Sequence, residues 1–272
     1  MNNLNQKIPA ISRLFNLYAL LILFVFASCH TEKKSKSEKD QKTNNLTPDH
    51  IIQKAIEYSG KNKFNDHKIV FDFRDKTYVS ENRCGHFKMT RIDSSKNIKD
   101  VLFENQLKRK VKGASVQLAD TLAAKIKSSI NSVHYFVQLP YRLKDQAVKA
   151  KKLKDDTIGN KIYYQLQVQF KEAGGGEDYQ DIYRYWFDQK DFSLDYLAYQ
   201  FHTNSGGMRF RAKREEKKLN AVIFQDYDNF KPVSKNLSLK ELSTAYQNNK
   251  LEKVSEINTI PIAVKPSDKN CN

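Results

Sequence analysis

Residues 161–170 alternate without a break, and this run constrains the fold more than any other segment. Ile162, Tyr164, Leu166, Val168 and Phe170 fall on one face of an extended chain, with Lys161, Tyr163, Gln165, Gln167 and Gln169 on the other. That pattern predicts a strand with one apolar and one wet face. The same period returns over residues 181–188, where Tyr183, Tyr185 and Phe187 oppose Ile182, Arg184 and Trp186, so both faces of this strand are expected to be partly covered. Ala173-Gly174-Gly175-Gly176 supplies the hairpin loop between the two runs. Residues 194–203, 208–218 and 221–227 continue as long antiparallel strands, with a turn at Asn204-Ser205-Gly206-Gly207.

Helical signals are fewer. Thr47 followed by Pro48 is a helix start, Ile51, Ile52, Ala55 and Ile56 form its apolar face, and Gly60 ends it. A meander of short strands is predicted over residues 67–74, 76–81 and 83–92, with two weaker strands near 100–112. From Val116 the period becomes 3.6, with Ala119, Leu122, Ala123, Ile126, Ile130, Val133 and Val137 on one face, which predicts a long amphipathic helix stopping before Pro140. A short helix near 238–247 and a final strand near 253–262 complete the chain. Strands in succession around one central helix give an α+β class: a curved, unclosed antiparallel sheet, a half-barrel, covered by that helix. Parallel α/β would need strand and helix to alternate throughout.

The N-terminus reads as an address. Lys7 and Arg13 form a basic region, residues 17–26 an apolar stretch, and Ala27-Ser28-Cys29 sets small residues before a thiol, as in a lipoprotein signal with Cys29 as the lipidated residue. Phe26 stands where such signals commonly carry leucine. The apolar stretch is far short of the ~20 residues that span a bilayer, and several acyl chains are needed for a stable tether. Residues 1–28 are therefore expected to be a signal peptide, 29–46 a flexible polar tether, 47–264 a single α+β domain, and 265–272 a C-terminal tail. His30, rather than aspartate, follows the cysteine, which directs the expectation to the outer membrane, on its periplasmic or surface face.

The formal charge of +16 over 272 residues would suggest nucleic acid in a cytoplasmic chain, but an exported chain has no such partner. A basic surface against anionic envelope material is one reading, and dispersed charge serving solubility is the other. Arg209, Arg211 and Lys213, alternating with Phe210 and Ala212, are the candidate outward-facing basic surface. An oxidising compartment permits a disulfide between Cys84 and Cys271, with two free thiols as the alternative.

No nucleotide loop, no metal spacing and no GxSxG elbow is present, so no catalytic residue, metal or cofactor is assigned. The acidic group Asp178, Asp181, Asp188 and Asp191 reads as solvated strand ends rather than as glycosidase carboxylates. Phe at 16 positions and Tyr at 14 supply large rings for half-buried strands. A curled sheet beneath a helix encloses either a packed core or a ligand cavity, and Phe136, Tyr164, Trp186 and Tyr199 are the candidate cavity lining.

Residues 132–145, SVHYFVQLPYRLKD, together with Ile162-Tyr163-Tyr164, Tyr185-Trp186-Phe187-Asp188 and Leu197-Ala198-Tyr199-Gln200-Phe201, resemble an uncharacterised family of Gram-negative envelope lipoproteins carrying a domain of unknown function. The segment from Ile69 to Arg74, ahead of Tyr78 and Gly85, is similar as well. The resemblance implies a fold like that of the lipoprotein carriers LolA and LolB, an unclosed barrel with a helical lid, and it brings no catalytic residues. Some members of that family carry an aldolase name. A Schiff-base aldolase needs a (β/α)₈ barrel with a buried lysine, and this chain lacks the alternation. The expected function is a non-enzymatic, lipid-anchored envelope protein that binds an acyl chain or lipid. An interaction or scaffold lipoprotein with a filled core is the alternative, and a hydrolase acting on envelope glycan or lipid is third. Oligomeric state is left open.

Overall fold

The computed structural model describes residues 46–83, 85–173, 179–202, 206–234 and 236–267. The elements below all lie in one compact unit, Thr47–Asn272. The first helix, α1 (Pro48–Ser59), is capped as the sequence predicts: Thr47 accepts from the His50 N–H, and Gly60 closes the helix in the left-handed region at φ 63°. Only glycine fits there, since a Cβ on Gly60 would fall 1.8 Å from the Ala221 carbonyl oxygen.

Six strands follow: β1 (His67–Phe73), β2 (Lys76–Arg83), β3 (His86–Asp93), β4 (Ile98–Phe103), β5 (Gln106–Val111) and β6 (Ala114–Val116). Helix α2 (Asp120–Gln138) leads into β7 (Val148–Lys152), β8 (Asp156–Ile158), β9 (Lys161–Phe170), β10 (Ile182–Asp188), β11 (Leu194–Phe201), β12 (Gly207–Leu219) and β13 (Val222–Pro232). Helix α3 (Leu242–Gln247), β14 (Leu251–Ile257) and β15 (Thr259–Pro266) complete the order.

The strands form two antiparallel sheets rather than the single curved sheet expected from the sequence. One runs β15-β1-β2-β3-β4-β5-β6, the other β14-β13-β12-β11-β10-β9-β7, with β8 paired to β9. Neither closes on itself. They meet at Asn258, where β14 leaves one sheet and β15 enters the other. The corner is pinned by Asp226, 1% exposed, whose carboxylate accepts from the Thr259 N–H at 2.8 Å and from Lys217 Nζ at 2.5 Å. Arg214 adds ion pairs to Asp226 at 3.6 Å and to Glu256.

The chain passes from β6, at the outer edge of one sheet, to β7, at the outer edge of the other, through α2. The sequence extends this helix back to Val116, but Val116 ends β6 and the helix begins at Asp120. Nor does α2 cover a sheet along its whole length. Leu122 is 46% exposed and Ala119 is also exposed, and burial starts at Ile126 and continues through Ile130, His134, Val137 and Gln138. Ile126 and Ile130 pack with Leu102, and Met89, Leu107 and Leu118 lie against them.

The predicted wet face of β9 is also corrected. Tyr163 is 1% and Gln165 6% exposed, whereas Ile162 is 54% exposed. The eight-stranded sheet is covered on both faces. On one, Tyr163, Trp186, Ala198, Phe210 and Ala212 pack under Leu239 and Leu242 of the α3 region. The other face looks toward α2.

Candidate functional site

The face toward α2 is fixed by strand register. Tyr183 lies opposite Tyr199 and Tyr185 opposite Leu197; in the next pair Tyr199 faces Arg209 and Leu197 faces Arg211. Directly opposed residues share a face, so the rings of β10 and β11 and the arginines of β12 project to the same side. Between them and the C-terminal half of α2 lies a cavity of about 560 Å³. Its walls carry Tyr135 and Phe136 from the helix, and Phe170, Tyr183, Tyr185 and Tyr199 from the sheet. The rings support one another: Tyr135 meets Phe170 edge-on at 5.8 Å, Phe170 meets Tyr183 at 5.5 Å, and Tyr183 stacks on Tyr199 at 5.7 Å. The volume lies within the ~300–1,000 Å³ typical of small-molecule pockets.

Of the four residues expected to line a cavity, Phe136 and Tyr199 stand on this wall. Trp186 does not: it points to the opposite face, fully buried against Phe210, with its indole N–H donating to Asp156 at 2.8 Å. Tyr164 shares the inner row of β9 but is sealed beneath Phe192, with Lys152 over its ring.

The outward basic surface is corrected as well. Arg209, Arg211 and Lys213 lie on the inner face, because Phe210 and Ala212 are claimed by the α3 side. Lys213 pairs with Asp195 at 2.5 Å and Glu216 at 2.8 Å, and Arg209 lies over Phe201. Arg211 enters the cavity wall, its Cζ 4.2 Å from the centroid of Phe136 and 5.3 Å from that of Tyr199. Of the acidic group, Asp191 is exposed, as a solvated strand end should be, but two others are not. Asp181 and Asp188 are buried, Asp188 pairing with Lys161 at 2.7 Å and Asp181 accepting from the His202 N–H at 3.2 Å. Cys29, Cys84, Cys271, Asp178 and the three-glycine loop lie outside the described residues.

A second, larger cavity of about 890 Å³ borders the other side of α2. Its walls include the exposed His86, Glu104, Asn105 and Asp120, so it is a wet groove. Arg142 borders both spaces, its Nε 2.8 Å from Asp145. Burial raises the Asp145 carboxyl above its ordinary value, with Arg142 opposing that rise.

Two buried bases anchor α2: Lys61, in the turn after α1, which sequence reading did not single out, and His134, on the helix itself. Lys61 donates to the carbonyls of Val137 and Leu139 at 2.7 and 2.6 Å, and so ends the helix. Burial pushes this lysine down to about 7. His134, fully buried, sits edge-on to Phe71 and Tyr78, its Nε2 3.4 Å from the Thr90 carbonyl. Burial lowers it to about 3. An unfolded chain protonates this histidine below about 6.5, whereas the folded chain resists until about 3. Stability is thus fully present above that window and falls as pH drops through it, by about 1.4 kcal/mol per unit at most. The urea midpoint of wild type is expected to fall relative to that of His134→Phe between pH 6.5 and 4, and a constant difference would show that His134 is not the titrating group.

Among the described residues no cluster of His, Cys, Asp or Glu is placed to hold a metal ion, and no helix is long and apolar enough to cross a membrane.

Two open antiparallel sheets joined at a corner, with a helix between their outer edges and an aromatic cavity beneath it, define the class of protein. The chain belongs to a family of unknown function, DUF6503, whose model matches residues 21–259. No curated protein matches it. Among solved structures it is similar to a LolA superfamily protein from Nitrosomonas europaea, with 12% identity, 82% of this chain and 94% of that one covered, and a TM-score of 0.45. It is also similar to a DUF1329 family protein from Desulfovibrio piger, at 6% identity, 80% and 92% coverage and a TM-score of 0.44. Such distant likenesses bear on neither ligand nor activity.

Proposed function

We propose that this protein is a lipid-anchored envelope component, held at the outer membrane through Cys29, that carries an apolar ligand under α2 without chemical conversion. The aromatic cavity between α2 and β10–β12 is the observation that carries the reading. Its rings present apolar area on both walls, and an acyl chain leaving water for such a site gains about 0.8 kcal/mol per methylene. The helix is tied to the seven-stranded sheet through His134 and Gln138 and to the turn after α1 through Lys61, which supports an arrangement in which the opposite wall, the eight-stranded sheet, receives the ligand.

The test is native mass spectrometry of the full chain, with lipid extraction of the same sample. Near-stoichiometric lipid is expected in wild type. In Leu197→Trp, where an indole would fill the cavity, the lipid is expected to fall at least about tenfold while circular dichroism is retained. A clean ligand-free mass for wild type would overturn the reading in favour of an interaction protein with a filled core.

A further inference from the structure

The cavity wall is not uniformly apolar, and its charges do not cancel locally. Arg142 has Asp145 beside it, and Asp181 is engaged by the backbone N–H and ring of His202. Arg211 has neither kind of partner. Its Nη2 donates to the Tyr199 hydroxyl at 3.1 Å, two rings flank it, and among the described residues no carboxylate lies within 4.0 Å. Its Nε is shut away from solvent without an acceptor, and so is the hydroxyl of Tyr135 on the facing helix. Tyr185, between these elements in the wall, feels both groups electrostatically.

A half-buried guanidinium without an anion carries a desolvation cost that no counter-charge offsets. The two rings offset part of that cost, since a cation over an aromatic face is attracted by the ring quadrupole. They offer no acceptor for the remaining N–H groups. A planar fork with free donors beside an apolar space matches a carboxylate at the end of a hydrocarbon chain. Size narrows this further. At about 560 Å³ the cavity is of drug-sized capacity, which suits one long chain with its head.

We infer that the ligand is a single-chain carboxylate amphiphile, a free fatty acid, whose head is held by Arg211 while its chain lies along the rings of β10 and β11. The inference rests on the proposed carrier reading and adds the headgroup and its partner.

The test is native mass spectrometry of delipidated full chain titrated with palmitate and, separately, with hexadecanol, for wild type and Arg211→Met. Wild type is expected to bind palmitate at least about tenfold tighter than hexadecanol, one charge-assisted interaction being worth roughly that factor. Arg211→Met is expected to lose that preference, binding palmitate no tighter than hexadecanol. Equal binding of both ligands by wild type would overturn the headgroup assignment and leave the carrier reading standing. Binding of neither would overturn the carrier reading itself. Should Arg211→Met fail to fold, the wild-type ratio alone decides.

Discussion

Replacing Asp226 with alanine is expected to lower the unfolding free energy by about 3 kcal/mol, at the low end of the ~3–5 kcal/mol for breaking a fully buried pair. The carboxylate is buried, but Lys217 and Arg214 keep 29% and 32% of their side-chain surface and recover some hydration when it is lost. The larger part of the cost is geometric. Asp226 takes the Thr259 N–H at the point where the chain changes sheets, and without it that donor is buried and unpaired. Asp226→Asn keeps an acceptor and is expected to lose about half as much. Urea unfolding of the three proteins measures this directly. A loss below about 1 kcal/mol for the alanine variant would mean that strand pairing alone holds the corner.

Trp186→Ala is expected to cost about 3–5 kcal/mol, the range for truncating a large buried aromatic. The ring is fully buried, 5.7 Å from Phe210, among Ala198, Leu239 and Leu242, and α3 has only six residues with which to close over the space left behind. Trp186→Phe retains most of the packing but leaves Asp156 without its indole donor, so about 1–2 kcal/mol is expected. Because Trp186 lies on the face away from α2, ligand carried per folded molecule is expected to be unchanged in both variants. Reduced lipid at full folding would place the indole in contact with the cavity after all.

The long strands and α1 were legible because their signals are local. Ten alternating residues in β9 and the Thr47, Pro48 and Gly60 punctuation of α1 need no partner to be read. The strands β6, β7 and β8 were not legible, since three to five residues carry too little period and Val116 continues the helical spacing of α2. Alternation also assigns residues to two faces without saying which face is inside. For β12 the bland expectation, cations outward, failed because both faces are covered, and the cover on the Phe210 side comes from Leu239 and Leu242, distant in sequence. The same gap placed Trp186 in the cavity. The charge on the cavity wall was thus present in the sequence, but its position depended on tertiary packing.

The pairing of β1 with β15 sets the order in which this fold can be completed. β1 has its outer partner in β15, which follows β14 of the other sheet and lies almost two hundred residues away in sequence. Such non-local closure makes folding slow compared with hairpin-by-hairpin assembly. The finished structure is accessible only once β15 has emerged, so that strand acts as a timer, leaving the outer edge of β1 unpaired until it arrives.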